Sequence, residues 1–77
     1  MNLERLFKIV MSDYATERLK LEEQLESIMN SNQDIHTKTK IIKKVLRKIT
    51  INEASMLKFA SMIPNNNLQN NENDGTV

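Results

Sequence analysis

Apolar residues recur at helical spacing in two stretches of nearly equal length. The first stripe reads Leu3, Phe7, Val10, Tyr14, Leu21, Leu25 and Ile28. The second reads Ile42, Val45, Ile49, Met56, Phe59 and Ile63, with Ile35 ahead of it. Steps of three and four place each set on one face of an α-helix. Between them, Asn30-Ser31-Asn32-Gln33-Asp34 is wholly polar, a composition that breaks the period and turns the chain. Two such stripes bury themselves against each other, so the pattern predicts an all-α fold, an antiparallel two-helix hairpin.

The ends of both helices carry their own signals. Asn2 can cap the first, which should run to about Asn30 with no Gly or Pro inside it. The second is expected to begin at Asp34 as its N-cap, or else one turn earlier, and Pro64 is its stop. At ~1.5 Å per residue each would be roughly 42 Å long. Arg18 or Glu17 falls where the first stripe wants an apolar residue, so the seam is thinnest at its middle. One conflict lies at Ile49-Thr50-Ile51-Asn52-Glu53. Three β-branched residues weaken the helix there, and Thr50-x-x-Glu53 has the form of a capping box. A break near Thr50 would give a third helix. The apolar phase runs through the junction without a slip, which favours one continuous helix. With the turn centred on Asn32, Leu3, Leu6, Phe7 and Val10 fall beside Met56, Phe59, Ala60 and Ile63, so both phenylalanines gather at the open end. Residues 1–63 thus make the hairpin. Residues 64–77, Asn-rich and nearly free of apolar side chains, are expected to form a disordered tail.

Size then changes the picture. Seventy-seven residues make at most one domain, and two lone helices bury little against an ordering cost of ~1.5 kcal/mol per residue. A second copy or a larger partner is therefore expected. Cysteine is absent, which excludes disulfides, thiolate zinc sites and cysteine nucleophiles and fits a reducing compartment. No basic-then-apolar leader opens the chain, and Ile9-Val10-Met11 is too short a run for a membrane span. A cytoplasmic protein without integral membrane association is the expectation. Asn, Ile and Lys, all with AT-rich codons, are used heavily. In size and composition the chain resembles small accessory proteins of T-even-type phages. That resemblance covers no motif, implies no site residue, and would place the protein in the host cytoplasm.

The formal net charge is only +1, so any electrostatic signal lies in its distribution. His36, Lys40, Lys43, Lys44, Arg47 and Lys58 fall mostly on the side of the second helix opposite its apolar seam. Cations at this spacing can follow phosphates along DNA or RNA, with Lys40, Lys43, Lys44, Arg47 and Lys58 as the candidate contacts. The plainer alternative is a solvated lysine face. Glu17 and Glu22, flanking the seam, would then reach Lys48 and Lys44 or Lys43. Acids in the C-terminal half of the first helix and bases in the N-terminal half of the second also oppose the helix dipoles. Cross-helix pairing or an external anion would explain that reversal.

Several apolar residues lie off the seam. Ile9 and Leu19 point away from the partner helix. Leu6, Met11, Met29, Leu46 and Leu57 sit on its shoulders, and Ile51 lies on the outer face of the second helix. Leu6, Ile9, Met11, Leu19 and Ile51 are the candidate partner interface. A homodimer of hairpins ranks first as its use, docking to a larger protein second, and scattered surface hydrophobes third. Asn52, inside a Val/Ile/Met/Phe seam, either fixes register as a buried amide or is rotated into water by a kink at Thr50. His36 stands alone, without the companions of a metal site. The single glycine, Gly75, lies in the tail, so no loop can cradle a phosphate. No catalytic residues, metal ligands, cofactor or small-molecule substrate are expected. The function to be expected is that of a small non-enzymatic accessory or regulatory interaction protein acting through apolar helix surfaces. A nucleic-acid-binding hairpin is the second reading, and a basic helix lying on an anionic membrane the third.

Overall fold

The computed structural model describes residues 2–63, and the expected disordered tail, 64–77, lies outside them. Two helices account for nearly all of that span: α1, Leu3–Met29, and α2, Ile35–Met62. They pack on each other as an antiparallel hairpin.

Both N-termini form as their residues dictate. The Asn2 side chain accepts the Arg5 backbone N–H at 3.1 Å. At Asp34, one carboxylate oxygen accepts the Thr37 N–H at 3.3 Å and the other accepts the Thr37 hydroxyl at 2.7 Å. These caps satisfy donors that a helix start leaves without partners. The turn needs no left-handed residue. Asn30 ends α1 at φ −94°, ψ 3°, and no positive φ occurs among the described residues. The last carbonyls of α1 are met instead by side chains. The Ser31 hydroxyl donates to Ile28 O at 2.8 Å, and the Lys38 ammonium reaches across the turn to Met29 O at 3.1 Å.

α2 is continuous through Thr50, and no third helix forms. Thr50-x-x-Glu53 does not act as a capping box because Glu53 is engaged elsewhere, in an ion pair with Arg18 of α1. At the open end Phe7 and Phe59 stack, with ring centroids 6.1 Å apart and planes 17° from parallel. Leu21, Val45 and Ile63 are the most covered apolar side chains of the described residues, each still 6–9% exposed. Phe7, Val10, Tyr14, Leu25, Ile28, Ile42, Ile49, Met56 and Phe59 are half-buried. Two cylinders touch along a line, and a line of contact leaves the flanks of each side chain open.

The phenyl stack is the hairpin's one aromatic contact, so it should matter more than its neighbours. Because both rings are half-buried, Phe7→Ala or Phe59→Ala is expected to cost about 2 kcal/mol, below the ~3–5 of a fully buried ring. A double-mutant cycle by urea unfolding should return a coupling of ~0.5–1.5 kcal/mol. Additive losses would show that the rings do not stabilise each other.

The Asp34 cap gives stability a pH dependence. The hydroxyl and N–H of Thr37 hold its carboxyl below the ordinary carboxylate range. A carboxyl depressed on folding contributes stability above its unfolded value and loses it as pH falls through the folded one. Asp34→Asn keeps a capping oxygen without the charge. The thermal midpoint of the native chain should exceed that of Asp34→Asn at neutral pH, and the gap should close on acidification below the carboxylate range.

Candidate functional site

The hairpin seam divides the surface into two flanks and two outer faces. Arg18 marks one flank. Its guanidinium meets Glu22 on its own helix at 3.1 Å and Glu53 on α2. On the opposite flank Glu17 turns to Asn52. Consecutive helix positions differ by about 100°, so Glu17 and Arg18 straddle the seam and send their side chains to different sides of it.

Asn52 is buried, at 4% exposure, because α2 does not kink. Its amide Nδ2 donates to the Tyr14 carbonyl at 3.2 Å and to Glu17 Oε1 at 3.0 Å. Its Oδ1 is buried without a hydrogen-bond partner. Glu17, Tyr14, Lys48, Ile51, Asn52 and Ser55 line a depression of about 270 Å³. It adjoins one toward the turn, through the shared Lys48, and one toward the open end, through Tyr14 and Ser55. This flank is therefore a continuous furrow along the seam.

Cross-helix pairing of Glu17 and Glu22 with Lys43, Lys44 or Lys48 does not occur. Glu17 binds the Asn52 amide and Glu22 binds Arg18. The reason is local. Arg18 stands at the thin middle of the seam, where its long side chain reaches both Glu22, one turn on, and Glu53 across the seam. The charge reversal against the helix dipoles also has a structural origin. In an antiparallel hairpin the N-terminal half of α2 lies beside the C-terminal, electronegative half of α1, so each helix's charges suit its neighbour's dipole. Lys38 does this directly at Met29 O.

Lys40, Lys43 and Arg47 lie on the outer face of α2, whereas Lys44 stands at the rim of the seam furrow with Gln24, Ser27 and Ile28, and Lys58 at its rim with Tyr14 and Phe59. Lys40, Lys43, Lys44, Arg47 and Lys58 are exposed, and none has an ion-pair partner among the described residues. Lys40, Lys43, Lys44 and Arg47 border a shallow depression of about 590 Å³. Lys58 is separated from them by Ile51 and Ala54, which fill the intervening positions of the same stripe. His36 is exposed at the start of α2. Among the described residues, no three His, Cys, Asp or Glu side chains gather closely enough to hold a metal ion. No described helix is long and apolar enough to cross a membrane.

The five residues selected as a partner interface do not form one patch. Leu6 and Ile9 border a pocket with Asn2 and Arg5. Leu6 and Met11 are half-buried, Ile9 and Leu19 are exposed on the back of α1, and Ile51, expected on the outer face of α2, is exposed at the rim of the Glu17 furrow instead. The coherent apolar surface is a different one. Ile35, Thr39, Ile42, Leu46, Ile49, Glu53 and Leu57 follow one another in steps of three and four along the Arg18 flank. Ile35 is 79% exposed, Leu46 46% and Leu57 65%. On α1 the series Met11, Ala15, Arg18, Glu22, Leu25 and Met29 has the same spacing on the same flank. The period was available in the sequence. Which flank it occupied was not, because that depends on the Arg18–Glu53 pairing.

No family model matches the sequence, and no curated protein or solved structure matches it.

The orphan Oδ1 makes Asn52 an unfavourable occupant of the seam. An unsatisfied buried acceptor costs about 1–3 kcal/mol, and a leucine there would add apolar burial. Asn52→Leu is accordingly expected to raise the urea midpoint, by about 1 kcal/mol in unfolding free energy. A loss of stability instead would show that the bonds to Tyr14 and Glu17 outweigh the orphan.

Proposed function

We propose that this chain is a small non-enzymatic interaction module, and that its first partner is a second copy of itself, docked on the Arg18 flank. One observation carries the proposal. α2 extends its apolar seam onto the Arg18 flank at coiled-coil spacing, with Ile35, Leu46 and Leu57 exposed, beside a hairpin core in which only Leu21, Val45 and Ile63 are buried apolar side chains among the described residues. A stripe with steps of three and four is the surface that a helix offers to another helix. Pairing two hairpins through it would turn a line of contact into a four-helix core. The Met side chains at its margins, Met11 and Met29, can adapt to the facing surface.

Charge supports α1-to-α2 pairing across that interface. α1 carries six acids against four bases, whereas α2 carries seven bases against one acid. An arrangement placing α1 of one hairpin beside α2 of the next joins unlike surfaces, whereas one joining α2 to α2 sets cations together. Catalysis has no part in the proposal. The carboxylates ride on helix surfaces, and the depressions beside them are open furrows along the seam.

Light scattering tests it. The native chain at high concentration should have twice the 9.0 kDa mass of one copy, and its thermal midpoint should rise with concentration. Leu46→Asp with Leu57→Asp should give a single-copy mass and remove that concentration dependence, while Ile9→Asp on the back of α1 should leave the dimer intact. A single-copy mass for the native chain would defeat the proposal. So would a dimer that survives the paired Leu substitutions.

A further inference from the structure

We infer that the outer face of α2 binds the phosphate backbone of double-stranded DNA, independently of sequence, through Lys40, Lys43, Lys44 and Arg47. The inference stands apart from self-association, because Lys40, Lys43 and Arg47 point away from α1, and Lys44 lies at the rim of the seam furrow, on the side away from the Arg18 flank.

Three observations converge on it. First, these four cations are exposed and have no ion-pair partner among the described residues. α2 has a single acid, Glu53, and it is held by Arg18 on another side of the helix. Second, Lys38 alone among the lysines at the start of α2 makes a direct polar contact with α1, at Met29 O, and the four cations make none. Third, they are concentrated. Lys40, Lys44 and Arg47 follow in steps of four and three, with Lys43 one turn before Arg47, so the set covers roughly 10 Å of helix. Around it lies a shallow depression floored by Ile41 and edged by Thr37, a surface into which a polyanion can settle without displacing any internal pair.

The form of nucleic acid follows from what the face lacks and from its shape. The chain has three aromatic residues. Phe7 and Phe59 stack on each other inside the hairpin, and Tyr14 lies half-buried at the seam. None stands among the cations, so there is no platform on which the bases of a single strand could stack. What remains is a straight helix with a charged ridge. The major groove of B-form DNA is wide enough to admit an α-helix, whereas that of A-form RNA is too narrow for its side chains. Lysines and one arginine facing phosphates supply affinity and orientation without base recognition.

The test is fluorescence anisotropy of the full chain with a labelled 20-base-pair DNA duplex of arbitrary sequence. Four phosphate contacts imply a slope of about −3.6 in log affinity against log salt, so affinity should fall roughly 100-fold between 50 and 200 mM salt. Lys43→Gln with Arg47→Gln should flatten that slope by about two. Lys43→Glu with Arg47→Glu should abolish binding while helical circular dichroism is retained. Lys8→Glu with Lys20→Glu makes the same change in net charge on α1 and should leave most of the affinity. No binding to the duplex at 50 mM salt overturns the inference. It is equally overturned if the α1 reversal is as damaging as the α2 reversal, if an RNA duplex of the same sequence binds more tightly than the DNA, or if anionic phospholipid vesicles bind the chain while the duplex does not.

Discussion

Two helices of 27 and 28 residues can touch only along a line, and that geometric limit governs the rest of this molecule. A residue on the line is covered on one side by the partner helix and on its flanks by nothing. Leu21, Val45 and Ile63 are buried, though not completely, while the other apolar seam residues keep more of their surface in water. Burial stabilises in proportion to area, and ordering some sixty residues opposes it at every position. The open flanks are thus the inevitable margin of a two-helix fold. A flank lined with Ile35, Leu46 and Leu57 is a margin on which further burial can be built.

The polar middle of the seam has a different role from its apolar ends. Around Tyr14, Glu17, Arg18, Asn52 and Glu53, hydrogen bonds and ion pairs replace packing. Exposed ion pairs contribute little to stability, and the Asn52 amide leaves one oxygen without a partner. What such contacts can supply is register. Apolar side chains would tolerate a slide of one turn between α1 and α2. Nδ2 of Asn52, bonded to one backbone carbonyl and one carboxylate, would not. A single polar residue in a helical seam commonly trades stability for uniqueness in this way.

Much of this could be read from the residues, and the division between legible and illegible has a physical basis. Helix period, end caps and continuity are local properties. Asn2 and Asp34 cap because their side chains reach the N–H three residues on, and the apolar phase through Ile49, Met56 and Phe59 outweighs the β-branched run at Thr50. The meeting of Phe7 and Phe59 at the open end followed from the turn position and the two stripes, whereas the stacking of their rings did not. Pairwise polar contacts were not legible, because they depend on axial register and on the side of the seam from which a side chain emerges. Glu17 and Glu22 were matched to lysines by charge, but the Asn52 amide and Arg18 lie closer. Lys38 was given no partner, and its reach across the turn to Met29 O depends on how closely the two helix ends approach. Choosing Leu6, Ile9, Met11, Leu19 and Ile51 by their distance from the seam gathered residues from several faces. Spacing along the Arg18 flank identifies the continuous surface.

α2 therefore carries three kinds of surface side by side. Its seam packs on α1, its Arg18 flank is apolar on either side of the Arg18–Glu53 ion pair, and its outer face is cationic. The order around the helix is consequential. An apolar stripe adjoining a cationic one cannot be buried without bringing those cations to the edge of the buried area, where a second copy of the same face would repel it. α1 offers the resolution, since it presents apolar shoulders at Met11 and Met29 together with an excess of acids. Docking α2 of one hairpin beside α1 of another covers the apolar flank and sets unlike charges along its rim, while the cations furthest from the seam stay in solvent. Sequence-wide charge balance near zero thus conceals a strong local polarity between an acidic α1 and a basic α2, a feature on which both proposals draw.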